Sequence, residues 1–186
     1  MLKQYNNPDN SNLKIMHFLP GNSFTPYAYS RMLDSLSDKF LIKNFLLRPL
    51  WDNNPMPKFN NWDIFLNDYL ESINKEEKIT AIGHSIGGNL LLKAAMLKSK
   101  KFDKIILLDP TFLPPYMIRA WKIISFLNIQ SYFLPFINSA KNKRMQYSSI
   151  NKMFESYRKN KIFSNFSDTS LYELIGSLTI KEEDGV

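Results

Sequence analysis

The sequence contains no cysteine. That excludes disulfide staples, a thiolate nucleophile and metal sites built on Cys ligands, although it does not fix a compartment. Histidine is nearly as scarce: His17 and His84 are the only two in 186 residues, so a histidine base has two possible addresses. A long unbroken apolar run is also missing. The most apolar region, Pro114 to Ile137, is interrupted by Arg119, Lys122, Asn128, Gln130 and Pro135, which does not suit a single bilayer-crossing helix. Met1 to Asn12 is polar and lacks an apolar core stretch, so it does not read as a signal peptide. The expectation is a soluble, cytoplasmic chain.

What is present points to a globular core. Hydrophobic residues make up 44% of the chain and aromatics 14%, too apolar for disorder and ordinary for one domain of this length. The formal net charge is +7, a balance that in other settings attracts nucleic acid or anionic membranes. Here the lysines are scattered and no nucleic-acid motif accompanies them, so the charge reads as a Lys-, Asn- and Ile-rich coding bias. The one dense basic run, Lys141 to Arg144, reads as a solvated turn. Neither a nucleic-acid partner nor a membrane is expected.

Hydrophobic periodicity alternates between two kinds. Strand-length apolar runs cover Leu13 to Leu19, Phe40 to Leu47, Lys78 to Gly83 and Asp103 to Leu108. Between them lie helical patterns: Pro26 to Leu36 with Tyr29, Met32, Leu33 and Leu36 on one face, Trp62 to Ile73, and Gly88 to Lys98. Arg48 to Asn61 is a Pro- and Asn-rich loop containing Trp51. Strands alternating with helices predict βαβ units, hence an α/β protein with a mostly parallel sheet flanked by helices. After Pro110 the alternation stops. Pro114 to Ile137, Ser148 to Lys159 and Asp168 to Ser177 read as helices, with a possible strand starting near Ser177 to Ile180.

The segment that carries chemistry is Gly83-His84-Ser85-Ile86-Gly87-Gly88. It follows a strand and opens a helix, the setting a G-x-S-x-G nucleophile elbow requires. A serine on so sharp a turn must take a strained backbone conformation. Small neighbours at Gly83 and Gly87 let the two segments approach, and Gly88 lets the helix lie near the strand. The first turn of that helix then presents free N–H groups where negative charge develops. Ser85 is the candidate nucleophile. The turn Pro20-Gly21-Asn22-Ser23-Phe24 follows the first strand, and the backbone amides of Asn22 and Ile86 are the candidate oxyanion hole.

These features resemble the α/β-hydrolase family. The likeness runs from Ile15 to Pro110, with the oxyanion loop, the elbow and the strand ending in Asp109-Pro110 in family order. It extends to a capped bacterial subgroup through Gly21-Asn22, Phe24, Tyr29, the Arg48-Pro49-Leu50-Trp51 loop and a helical segment after Asp109-Pro110, with Lys143-Arg144, Ser156-Tyr157-Arg158 and Phe163 resembling that cap. The resemblance implies a partial α/β-hydrolase fold with a helical cap and ester- or amide-type hydrolysis by a serine. It also implies that no metal or organic cofactor is needed. Residues 1–112 are then a partial core, 113–180 the cap, and 181–186 the start of a missing C-terminal core that in the family carries the last strands, the usual acid and the histidine.

No general base is expected within the chain. His17 lies inside the first strand. His84 neighbours Ser85, and adjacent side chains on a strand point to opposite faces, so both histidines read as structural. Asp109 has two readings, the acid of the site or an Asp that closes its strand beside Pro110, and the second weighs more. Phe112, Trp121, Phe126 and Phe133 suggest an apolar substrate pocket, with a lipid-surface role for the Trp121 to Phe136 stretch as the weaker reading. The expectation is a serine hydrolase for an ester-like small substrate. The chain is expected to be truncated, inactive or weakly active alone, with a complementing C-terminal half as its partner. The alternative is a non-catalytic binding protein on the same fold.

Overall fold

The computed structural model describes residues 2–6, 13–22, 24–48, 62–75, 78–126 and 146–179. The chain divides into two compact units, Met1–Thr111 and Phe112–Val186. In the first, the strands are β1 (Leu2–Gln4), β2 (Lys14–Leu19), β3 (Phe40–Phe45), β4 (Ile79–His84) and β5 (Phe102–Leu108). The helices are α1 (Ser30–Asp34), α2 (Asp63–Ser72) and α3 (Ile86–Leu97). The sheet order is β1-β3-β2-β4-β5. β2, β3, β4 and β5 are parallel, and only β1 runs antiparallel, with Leu2 opposite Phe45.

The central strands β2 and β4 are buried on both sides, as crossover connections require. Along β2, Met16, His17, Phe18 and Leu19 have almost no solvent exposure. One face packs Leu19, Phe45, Ile79 and Ala81 beneath Phe65 and Tyr69 of α2, Ile73 just after it, and Leu90, Leu91 and Ala94 of α3. The other packs Met16, Phe18, Ile42 and Ile82 around Leu33 of α1, with Tyr29 alongside. Each large apolar side chain so buried stabilises the fold by about 1.5–3 kcal/mol before entropy is counted. A bidentate pair, Arg48 Nε to Asp68 Oδ2 at 2.7 Å and Nη2 to Oδ1 at 2.8 Å, ties the end of β3 to α2. β5 is the outer strand among the described residues, and Ile106 there stays 39% exposed.

Several expected boundaries move. β1 was not foreseen: it is three residues long and mostly exposed, so it has no apolar period. The Pro26 to Leu36 pattern is not one helix. It is a 3-10 turn, Pro26–Tyr29, followed by the five residues of α1. α3 begins at Ile86, two residues before the expected start. Loop residue Trp51, the basic run at Lys141 to Arg144, and Phe133 lie outside the described residues.

The second unit contains α4 (Pro115–Phe126), α5 (Ile150–Arg158) and α6 (Asp168–Leu178). Ser149 caps α5 by accepting from the Lys152 amide, and Ser167 caps α6 by accepting from the Ser170 amide. Phe154 stacks on Tyr172 at 4.2 Å, joining the two helices. Arg158 closes the connection by donating to the carbonyls of Phe163 and Phe166 and to Asp168. Ser177 and Leu178 belong to α6 rather than to a new strand, because Leu171, Leu174, Ile175 and Leu178 continue one helical stripe. Among the described residues no helix is long and apolar enough to cross a membrane.

The buried bond between His17 Nδ1 and the Tyr69 hydroxyl (3.1 Å) crosses from β2 to α2. Tyr69→Phe keeps the ring, which sits edge-on to Phe45 at 5.2 Å, and removes only the hydroxyl. The expected loss is about 1–2 kcal/mol in urea unfolding. An unchanged midpoint would show that this bond adds nothing to stability.

Candidate active site

β2, β4 and β5 all end at the same edge of the sheet. Leu19 lies opposite Gly83 across the β2–β4 pair, and His84 opposite Leu108 across the β4–β5 pair. Ser85 follows β4 directly and is the N-cap of α3, with φ 51° and ψ −118°. A positive φ is rare for a residue with a Cβ, and this ψ lies outside the ordinary left-handed well. The cost is about 1–3 kcal/mol and needs support from the surroundings. The support is visible: the Ser85 amide donates to the Leu108 carbonyl at 2.9 Å, and the Ser85 carbonyl accepts from the Asn89 amide at 3.1 Å.

The glycines explain how the turn closes. A Cβ on Gly83 would stand 2.6 Å from the Gly87 carbonyl oxygen. One on Gly87 would stand 2.2 Å from the Leu19 carbonyl oxygen and 2.6 Å from that of Pro20. Gly88 is less constrained, at 3.0 Å from the Gly83 oxygen. The first turn of α3 therefore touches both the end of β4 and the chain leaving β2. The Pro20–Asn22 turn is brought beside the elbow, closed by a Phe24 amide bond to the Gly21 carbonyl at 3.3 Å. Asn22 is exposed, and Ile86 occupies the first helical position, where a backbone N–H has no intrahelical acceptor.

The remaining polar groups sort by face. His17 points toward α2 and bonds Tyr69. His84 points the other way, its Nδ1 2.7 Å from the Tyr29 hydroxyl. Tyr29 also accepts from the Gly21 amide at 3.1 Å, and burial raises its pKa above that of an ordinary tyrosine, partly opposed by the Gly21 bond. Asp109 directly follows β5 with φ 44° and is exposed. Among the described residues neither histidine nor Asp109 hydrogen-bonds to Ser85, and no group of three or more His, Asp or Glu side chains is placed to hold a metal ion. The Tyr29–His84 contact was not foreseen. Tyr29 stands out in the sequence as a helix-face aromatic and in the family resemblance, neither of which points to His84, and 55 residues separate the pair.

The glycine geometry makes a sharp contrast between two substitutions. Gly87→Ala drives a methyl group into backbone and is expected to cost about 3 kcal/mol or more. Gly176→Ala, in α6 with nothing within 4 Å of the added carbon, is expected to gain about 0.5–1 kcal/mol. Urea unfolding of both variants tests this, and equal midpoints would contradict the close approach at Gly87.

Comparison with known proteins bears on the fold. A family model of the alpha/beta hydrolase fold matches residues 51–172. No curated protein matches the sequence significantly. Among solved structures, an alpha/beta hydrolase from Novosphingobium aromaticivorans aligns over 100% of this chain and 66% of its own, at 12% identity and TM-score 0.72. E-2-(acetamidomethylene)succinate hydrolase aligns over 99% and 62%, at 12% identity and TM-score 0.69. A thioesterase domain from the curacin biosynthetic pathway aligns over 99% and 65%, at 14% identity and TM-score 0.67. The chain thus spans under two thirds of the length of these structures. With a family match over most of its length and a parallel sheet whose strand-to-helix turn carries Ser85, the chain belongs to the alpha/beta hydrolase fold family.

Proposed function

We propose that this chain supplies the nucleophile and the oxyanion amides of a serine hydrolase acting on a small ester-like substrate. The observation that carries the reading is the strained Ser85 backbone at the β4–α3 turn, held between glycines that no larger residue could replace without displacing backbone. In the proposed reaction Ser85 Oγ attacks the carbonyl carbon and loses its proton. The carbonyl oxygen takes the negative charge beside the Ile86 and Asn22 amides, and collapse expels the alcohol to leave an acyl-serine. Asp109 is the candidate acid from this chain.

The proton of Ser85 needs an acceptor. Both histidines are engaged through Nδ1 with tyrosines on opposite faces of the sheet, so the base is proposed to come from a complementing segment that carries a histidine. A missing triad member costs orders of magnitude in rate, while oxyanion stabilisation retains some catalysis. The same engagement of both histidines favours a second reading, a non-catalytic binding protein on the hydrolase fold.

Turnover of p-nitrophenyl acetate by the chain alone is expected barely above background. Labelling of Ser85 by a fluorophosphonate, read by intact-protein mass, is expected to be slow and to accelerate about tenfold with added imidazole as a substitute base. Ser85→Ala should abolish the adduct. If no Ser85 adduct forms even with imidazole, the binding-protein reading replaces the hydrolase one.

A further inference from the structure

Tyr29 ends the 3-10 turn that follows the Pro20–Phe24 loop, and its ring is wedged edge-on against Phe18 at 4.7 Å and Phe24 at 6.2 Å. Its hydroxyl meets two groups from distant parts of the chain: the Gly21 amide (3.1 Å), one residue before Asn22, and His84 Nδ1 (2.7 Å), one residue before Ser85. The bond directions follow from the donors. A backbone amide only donates, so the phenol oxygen accepts from Gly21. The phenol proton then has one acceptor among the described residues, Nδ1 of His84, which leaves the imidazole proton on Nε2. The opposite arrangement, with Nδ1 donating, would strand the phenol proton in a half-buried site, at a cost.

Space at this point is filled as well. A Cβ on Gly21 would stand 2.7 Å from His84 Nδ1 and 3.2 Å from the Tyr29 hydroxyl. Glycine at 21 is therefore what lets the loop backbone reach the phenol. The result is a short polar link from the loop, through one hydroxyl, to the strand residue beside the nucleophile.

We propose that Tyr29 is a positioning residue: its hydroxyl fixes the Gly21–Asn22 turn against His84 and so holds the Asn22 amide in register with the Ser85 elbow. This rests on the hydrolase reading and assigns His84 a role distinct from that of a base. His84 is the acceptor that orients the tyrosine. Because oxyanion donors act through geometry, releasing the loop lowers the rate of the chemical step while leaving reagent binding in place.

The test is fluorophosphonate labelling of Ser85 with imidazole present, resolved into a limiting rate and an apparent dissociation constant, for the parent chain, Tyr29→Phe, His84→Ala and His84→Asn. Tyr29→Phe keeps the ring and loses the hydroxyl. His84→Asn sets an amide oxygen close to where Nδ1 stands. The limiting rate is expected to fall about tenfold or more in Tyr29→Phe and His84→Ala, with the dissociation constant unchanged, and His84→Asn is expected to keep most of the parent's rate. Hydrogen exchange at the Gly21 amide should accelerate in Tyr29→Phe. A structural role alone would lower the melting temperature of all three variants without separating rate from binding or rescuing with Asn. A Tyr29→Phe chain that labels at the parent's limiting rate overturns the proposal. Should Tyr29→Phe fail to fold, equal limiting rates for His84→Ala and His84→Asn overturn it in its place. If the parent itself forms no Ser85 adduct, the hydrolase reading fails and the positioning role falls with it, while Gly21 exchange reports separately whether the hydroxyl holds the loop.

Discussion

The contact on which the site depends is one of bare backbone: the Leu19 carbonyl against Gly87, with Gly83 pressed between Gly87 and Gly88. Pairing of Leu19 with Gly83 fixes the distance between β2 and β4, so α3 can start at the sheet edge only if the positions facing both strands carry no Cβ. The helix then begins one residue after Ser85, and the serine absorbs the change of direction in its own φ and ψ. Two backbone bonds, to Leu108 and from Asn89, hold that conformation. Strain is stored where chemistry is proposed and is offset by the regular structure around it.

Topology puts the right loops at that contact. The chain passes from β2 outward to β3 through α1 on one face, then returns to β4 through α2 on the other. β2 and β4 become neighbours whose outgoing connections leave toward opposite faces. In open parallel sheets ligands bind outside the carboxyl ends of the strands at such a switch point, and Asn22 and Ser85 both lie just beyond the carboxyl ends of these two strands. Parallel strands require this kind of crossover, so the location of the site follows from the sheet more than from any single side chain.

Much of this was legible from periodicity and from glycine. The central strands β2 and β4 stand out as apolar runs because they are buried on both faces, and the elbow glycines announce a turn that only they permit. Other features had no local signal. β1 is too short and too exposed to show a period, and it exists through pairing of Leu2 and Gln4 with β3. The Pro26 to Leu36 stripe places Tyr29 and Leu33 on one face, but a five-residue helix suffices to bury Leu33. The tyrosine–histidine bonds join residues 52 and 55 positions apart, and sequence spacing carries no information on such pairs. Alternation along β4 did indicate that His84 shares a face with Ile82. It did not indicate what His84 turns toward.

The two histidines make the strongest chemical statement in the chain. Each sits on a central strand, each lends Nδ1 to a tyrosine, and the two point to opposite sides of the sheet. An imidazole so engaged ties two parts of the fold together, β2 to α2 in one case and β4 to Tyr29 and the Gly21 turn in the other. Oxyanion donors lower the barrier only once the serine proton has somewhere to go, because the charge they stabilise appears as that proton leaves. On the hydrolase reading proposed above, electrostatic preorganisation would belong to the sheet edge and its glycines, and proton transfer to whatever base is brought to Ser85.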